Sequence, residues 1–212
     1  MLQVHAYTIY HSPNAYIGSV LLRRALAERP TVQLVRRPFL IPRERGLLVA
    51  DLVGGRETPA MGSYHREDAA RWAKRHAIPL VYPPPGTLLQ RAQHWAKTDW
   101  QREELPARAY YAARESGREH ALDQALFEAA WVEGMDVNLP ETIAWAAERA
   151  GLEGDRLLAE AMREVPGREV WAALEEFDRL QCPGVPTFVL DGARYFGKDR
   201  VDWLVAAIEE RA

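Results

Sequence analysis

Strand-forming segments occur only near the two ends of this chain, and a long helical stretch separates them. Residues 3–10 and 31–37 are rich in β-branched and aromatic side chains, and residues 187–190 and 194–197 form a second pair. Between the two pairs, residues 66–181 have apolar residues at helical spacing. Because one domain is built around one core, the two ends are expected to meet in a single sheet. The sequence therefore predicts an α/β fold with a large helical domain inserted into the sheet-forming part.

This pattern predicts two domains. Residues 1–65 and 182–212 form the domain that contains the sheet, and residues 66–181 form the inserted helical domain. Residues 41–64 are rich in glycine and proline and lack clear periodicity, which predicts a loop over a site.

Composition narrows the possible functions. The 212 residues carry a formal net charge of -3, which gives no sign of a nucleic-acid partner. No apolar run approaches the ~20 residues of a membrane span, and the first residues lack the pattern of a signal peptide. The single cysteine, Cys182, excludes an internal disulfide and fits a reducing compartment. We therefore expect a cytoplasmic protein that binds neither membrane nor nucleic acid, and the histidine spacing predicts no metal site.

Ser12 stands where the first predicted strand leads into a helix, directly before Pro13. Serine is a common N-cap, and proline is favoured at the first helical position. Unpaired N–H groups and the positive end of the helix dipole meet there and stabilise an anion, such as a thiolate. Ser12 is therefore a candidate catalytic residue whose hydroxyl donates a hydrogen bond to a bound sulfur. The alternative is a simple N-cap.

A thioredoxin-type redox protein carries Cys-x-x-Cys at such a turn, because one thiolate attacks and the second resolves the mixed disulfide. Residues 12–15 are Ser-Pro-Asn-Ala, so dithiol exchange at this turn is excluded. The missing sulfurs favour a protein that binds a thiol such as glutathione or another low-molecular-weight thiol. His11 adjoins this turn as a residue able to tune a bound thiol.

Val185 and Pro186 lead directly into the apolar strand that begins at Thr187. Proline lacks an N–H and suits the start of a strand, and an X-Pro bond is the natural place for a cis peptide. A cis proline would present neighbouring backbone groups to an extended ligand, which is strand addition on a small scale. We therefore predict that Val185 and Pro186 bind the cysteinyl unit of a tripeptide thiol. An ordinary trans proline is the alternative.

Lys198 and Asp199 lie at the predicted start of the last helix. Free N–H groups at this position can receive a carboxylate, to which Lys198 adds a positive charge, whereas Asp199 can accept an ammonium group. The two residues therefore fit the zwitterionic end of a γ-glutamyl group. The alternative is that Asp199 caps the helix.

A set of short segments follows in order along the chain: residues 12–17, 38–40, 71–73, 78–83, 127–134, 184–188 and 196–200. Together they resemble the 2-hydroxychromene-2-carboxylate isomerases and the related kappa-class glutathione transferases. The resemblance implies a DsbA-like thioredoxin fold with a helical insert, usually found as a homodimer. It also implies glutathione as cofactor, with Ser12 near its sulfur, Val185 at its backbone, and Lys198 and Asp199 near its γ-glutamyl end.

The resemblance further implies a glutathione-dependent cis-trans isomerase or transferase that acts on an aromatic or conjugated small molecule. In the isomerases, glutathione adds reversibly to the conjugated system of the substrate, which allows rotation to a trans double bond. Two alternatives stay open. One is a thiol oxidoreductase that relies on Cys182 alone, and the other is a non-catalytic binding module with the same fold.

Overall fold

The computed structural model describes residues 1–40, 59–84, 86–87, 90–91, 94 and 100–211. These residues form four strands, eight α-helices and two short 3-10 helices. The first part contains β1 (Leu2–Thr8), α1 (Pro13–Ala27), β2 (Val32–Pro38) and α2 (Pro59–Arg75). Helices α3 (Trp100–Ala113), α4 (Glu119–Trp131), α5 (Pro140–Arg149), α6 (Gly154–Ala161) and α7 (Glu164–Arg179) follow. The last part contains β3 (Thr187–Leu190), β4 (Ala193–Phe196) and α8 (Val201–Glu209), and the 3-10 helices are Arg114–Ser116 and Lys198–Arg200.

Both ends of the chain contribute to one four-stranded sheet of order β2-β1-β3-β4. Strand β1 is parallel to β2 and antiparallel to β3, with Tyr7 opposite Thr187. Strands β3 and β4 form an antiparallel hairpin in which Thr187 lies opposite Phe196. The turn between them contains Asp191 and Gly192, both at positive φ (48° and 81°), a conformation that glycine adopts without steric cost. The α/β fold expected from the sequence is therefore present.

The chain divides into two compact units. One comprises Met1–Phe39 and Trp171–Ala212, and the other comprises Leu40–Val170. The sequence predicted different boundaries, with residues 1–65 and 182–212 in one domain and residues 66–181 in the other. The second boundary differs because α7 spans the two units, whereas sequence reasoning assigned every helix between the strand pairs to the insert.

One face of the sheet is covered by α1 and α8. Alternate residues of β1, such as Val4 and Ala6, point into this core because successive side chains of a strand face opposite sides. Leu22 of α1 and Leu204 of α8 are fully buried against them. The remaining buried members of this cluster are Phe188, Leu190, Val201, Ala207 and Ile208.

The second half of α7 provides aromatic packing for the same unit. The ring of Phe177 lies 5.9 Å from the ring of Tyr7 and 4.8 Å from that of Phe39, measured between centroids. Tyr7 alternates with Val4 and Ala6 along β1, so these rings lie on the opposite side of the strand. This contact explains why Trp171–Arg179 belongs with the sheet.

The helical unit has its own apolar core, which includes the fully buried Leu122, Leu126, Trp131 and Ile143. Its α2 begins at Pro59. The predicted loop 41–64 is therefore wrong for residues 59–64, where proline at the first helical position starts a helix. Residues 41–58 lie outside the described part of the chain. None of the described helices has the length and apolar character of a membrane span.

Candidate functional site

Ser12 is the N-cap of α1, as the sequence predicts. Its backbone is extended (φ -102°, ψ 118°), and its Oγ accepts a hydrogen bond of 3.1 Å from the N–H of Ala15. The Ser12 N–H donates to the carbonyl of Ile9 at 3.2 Å, which turns the chain out of β1. Within the described residues no hydrogen bond uses the proton of the Ser12 hydroxyl. That proton is therefore available to a ligand at the N-terminus of α1.

Asn14 adds a polar group to the same turn that sequence reasoning did not select. Its side-chain oxygen is buried, and it has no hydrogen-bond partner among the described residues. Only the structure identifies this atom, because asparagine in a first helical turn is ordinarily solvated. A ligand that reaches the start of α1 can donate a hydrogen bond to it.

The Gly184–Thr187 segment forms the second part of the site. The Val185–Pro186 peptide bond is cis, as predicted. The Thr187 hydroxyl donates to the carbonyl of Gly184 at 2.6 Å, and the N–H of Gly197 donates to the carbonyl of Pro186 at 2.9 Å. Among the described residues, no hydrogen bond engages the N–H or the C=O of Val185. In the described part of the chain, the peptide groups of Val185 thus lie just before the paired residues of β3 and have no partner strand.

Gly18 brings α1 against this segment. A Cβ atom on Gly18 would lie 3.0 Å from Cγ of Pro186, 3.2 Å from Cζ of Phe188 and 3.5 Å from Cα of Lys198. Because glycine has no side chain, α1 can approach the Val185–Pro186 segment and the turn at Lys198. Six residues, or about 9 Å of helical rise, separate Gly18 from Ser12. The structure therefore brings α1, the helix that Ser12 caps, together with the Val185–Pro186 segment and the turn at Lys198.

Lys198 and Asp199 lie in the short 3-10 helix before α8, with different environments. Lys198 is buried, with 6% of its surface exposed, and its backbone packs beside Gly18. The Asp199 carboxylate is exposed and forms an ion pair of 2.6 Å with Arg200. The Arg200 guanidinium also lies 4.7 Å from the ring centroid of Trp203. Any ammonium group that binds to Asp199 shares the carboxylate with Arg200.

Cys182 lies on the segment between α7 and β3 and is half-buried. Burial raises the pKa of its thiol, and the carboxylate of Glu176 raises it further, whereas Arg194 opposes them. A raised pKa disfavours the thiolate, which is the nucleophilic form. The environment of Cys182 therefore favours the thiol over the thiolate.

A polar cluster on the α7 side of β1 was missed by sequence reasoning. Burial lowers the pKa of His5, with Arg37 as a further cause, and burial raises the pKa of Tyr7, with Glu176 as a further cause. Arg37 and Glu176 form an ion pair of 3.4 Å. The alternation of His5 and Tyr7 along β1 could have indicated that both side chains lie on one face of the strand. Their charged neighbours, Arg37 and Glu176, come from β2 and α7 and could not be predicted from β1 alone.

Comparisons with known proteins agree with this architecture. The sequence model of one protein family, described as the DSBA-like thioredoxin domain, matches residues 3–209 of this chain. A 2-hydroxychromene-2-carboxylate isomerase from Sphingobium xenophagum is 27% identical over 201 residues, which cover 93% of this chain and 93% of that protein.

Solved structures show the same fold. A 2-hydroxychromene-2-carboxylate isomerase structure superposes with a TM-score of 0.74 at 20% identity, covering 99% of this chain and 95% of that one. The cytosolic disulfide reductase DsbM from Pseudomonas aeruginosa, solved with GSH, superposes with a TM-score of 0.65 at 19% identity, covering 99% and 98%. The chain therefore belongs to the DsbA-like thioredoxin family.

Proposed function

We propose that this protein is a glutathione-dependent isomerase or transferase that acts on an aromatic or conjugated small molecule. The observation that carries the proposal is a serine at the start of α1, where redox members of the fold need cysteine. The same helix packs beside Pro186, next to the peptide groups of Val185. The protein then supplies a binding site for a thiol, and the ligand supplies the sulfur.

Ser12 is the catalytic residue of this proposal. Its hydroxyl donates a hydrogen bond to the sulfur of glutathione, and the positive end of the α1 dipole adds to the stabilisation of the thiolate. Both effects lower the pKa of the bound thiol and raise the fraction that is nucleophilic near neutral pH.

Val185 binds the peptide backbone of the cofactor in this proposal. Its N–H and C=O have no partner among the described residues and lie just before β3. An extended tripeptide placed along Val185 forms two backbone hydrogen bonds at its cysteinyl residue. Pro186 lies against α1 through Gly18 and holds Val185 beside the helix that Ser12 caps.

Lys198 and Asp199 bind the γ-glutamyl end. The ammonium of the buried residue Lys198 stabilises the α-carboxylate, and Asp199 accepts the α-ammonium while it keeps its contact with Arg200. The GSH present with DsbM, a relative in fold, supports this choice of thiol.

The proposed reaction needs no reagent other than glutathione. The thiolate adds to one carbon of a conjugated double bond, and the electron pair of that bond moves to the electron-withdrawing end of the substrate. The former double bond is now single and rotates. Expulsion of the thiolate restores the double bond in the other geometry and regenerates the cofactor. The name of the Sphingobium relative supports this reaction type.

An oxidoreductase based on Cys182 is the less favoured alternative, because burial raises the pKa of this thiol. Insulin reduction and thiol–disulfide exchange assays separate the two functions. Activity that is lost in Cys182→Ala and kept in Ser12→Ala would support the alternative.

The expected homodimer and the expected cytoplasmic location remain predictions. Sedimentation measures whether the protein is a dimer.

The test of the proposal is calorimetry with glutathione, followed by replacement of Ser12. We expect Ser12→Ala to fold normally and to lower thiol-dependent turnover about 10–1000-fold, the scale of losing one donor to a developing anion. Ser116→Ala is the control, because its hydroxyl bonds to the carbonyl of Ala113 in the helical unit. Absence of glutathione binding, or an unchanged rate in Ser12→Ala, would contradict the proposal.

A further inference from the structure

Phe196 is the last residue of the edge strand β4, and it is 47% exposed despite its large apolar ring. The ring lies over Gly184. A Cβ atom on Gly184 would be 2.9 Å from Cε2 and 3.1 Å from Cζ of Phe196. The ring therefore occupies the space that a side chain at position 184 would need.

Two further contacts connect this end of β4 to the segment that carries Val185. Thr187 lies opposite Phe196 in the sheet, and its hydroxyl donates to the carbonyl of Gly184 at 2.6 Å. The N–H of Gly197, the residue after Phe196, donates to the carbonyl of Pro186 at 2.9 Å. The residues on both sides of Val185 are thus fixed by β3, β4 and the turn that follows, whereas no hydrogen bond among the described residues engages the peptide groups of Val185.

We propose that Phe196 is a positioning residue for peptide thiols. By covering Gly184, its ring restricts the backbone beside Val185 and keeps the N–H and C=O of Val185 oriented for an incoming extended ligand. The inference rests on the proposed function, in which Val185 pairs with the cysteinyl unit of glutathione.

The restriction matters because glycine has more backbone conformations available than any other residue. Without the ring, Gly184 gains freedom in the unbound protein, and binding then has to remove that freedom again. About half of Phe196 is exposed, so its removal costs less folding free energy than the removal of a fully buried ring.

The test is a double-mutant cycle of Phe196→Ala and Gly184→Ala, read by calorimetry with glutathione and by thermal unfolding. Phe196→Ala weakens binding about three- to tenfold, a common size for coupled neighbours. Gly184→Ala weakens glutathione binding to a similar degree, because the Cβ of the new alanine displaces the ring of Phe196. In the Phe196→Ala background, Gly184→Ala weakens binding no further and restores part of the affinity, since the steric conflict is gone and alanine has less backbone freedom than glycine. Phe196→Tyr keeps the ring and the wild-type affinity.

The outcomes separate this inference from the proposed function. Wild-type affinity in Phe196→Ala, or multiplicative effects of the two substitutions, would overturn the role of Phe196 while the proposed function stands. Failure of the wild-type protein to bind glutathione would overturn both. A loss of affinity that is matched by an equal loss of unfolding free energy would assign Phe196 a purely structural role and also overturn the inference.

Discussion

Arg108 is a buried cation of the helical unit whose side chain connects three elements. Its guanidinium donates to the carbonyls of Ala161 and Arg163, both at 3.0 Å, and pairs with Glu104 at 3.3 Å. Because the charge is satisfied by one carboxylate and two carbonyls at a helix end, its burial is tolerated. Gly167 lies directly above it, and a Cβ there would be 2.5 Å from Nη2 of Arg108.

We predict that Gly167→Ala destabilises the protein, although alanine is the better helix former. The methyl group displaces the guanidinium from its carbonyl partners, and a disturbed buried network of this kind costs about 1–3 kcal/mol. Urea denaturation measures the difference, with the exposed neighbour Arg168→Ala as control. Equal or greater stability of Gly167→Ala would show that Arg108 rearranges freely.

His5 makes stability depend on pH. Its pKa in the folded protein is lowered by burial and by Arg37, with partial opposition from Glu176. The unfolded chain therefore takes up the proton at a higher pH than the folded protein, so the unfolding free energy falls as the pH drops below about 6.5. Above that pH both states are neutral at His5 and the effect vanishes.

The corresponding prediction compares the wild-type protein with His5→Asn. The unfolding free energy of the wild type falls more steeply between about pH 7.5 and about pH 5.5 than that of the variant, which has no group titrating at this position. Denaturant unfolding at both pH values provides the comparison. Parallel pH dependences would show that His5 keeps its ordinary pKa in the fold.

Helix α8 contributes to the unfolding free energy mainly through the one face that it buries against the sheet. Leu204 is fully buried in the core between α8 and the sheet, whereas its neighbour Trp203 is 64% exposed. Apolar residues recur at helical intervals in this part of the sequence, which predicts a helix with one buried face: Val201, Leu204, Val205 and Ile208. In the structure three of them are buried in the core and Val205 is partly buried.

We predict that Leu204→Ala lowers the unfolding free energy by about 2–5 kcal/mol, through lost burial and the cavity that remains. Trp203→Ala, a larger truncation at the next residue, changes it by no more than about 0.5 kcal/mol, as for surface sites. Chemical denaturation measures both variants. A larger loss in Trp203→Ala than in Leu204→Ala would contradict the assigned face of α8.

Element boundaries were less predictable than the elements themselves. The first strand was expected over residues 3–10, but β1 is Leu2–Thr8, because the bond from the Ser12 N–H to Ile9 turns the chain earlier. Helix α2 starts at Pro59 within a segment that composition favoured as a loop. Local hydrogen bonds set these ends, and residue propensities do not reveal them.

At the scale of the whole molecule, thiol binding is expected to stabilise the fold. A ligand that binds only the native state at 100 times its Kd adds about 2.7 kcal/mol to the unfolding free energy. For a chain of this size, that shift corresponds to several degrees in Tm, at about 2–4 °C per kcal/mol. Thermal unfolding with and without glutathione measures it, and an unchanged Tm at saturating glutathione would argue against a site for this thiol.

The sequence predicted the fold and the segments around the site better than the contacts within it. Ser12 as an N-cap follows from local residue chemistry, and Pro186 made a cis bond possible while leaving the trans form open. The ring of Phe196 over Gly184 and the pairing of Asp199 with Arg200 depend on strand register and side-chain rotamers. Such contacts between separate elements leave no periodic signal in the chain.

The order of strands in the sheet has a consequence for biosynthesis. Strand β1 ends at Thr8, but one of its two neighbours begins only at Thr187. At about 5–20 residues per second, the ribosome needs on the order of ten seconds to make the intervening chain. Throughout that interval one edge of β1 carries unsatisfied peptide groups, which are a template for wrong pairing. A nascent chain halted before residue 187 cannot complete its sheet, however far the helical unit has folded.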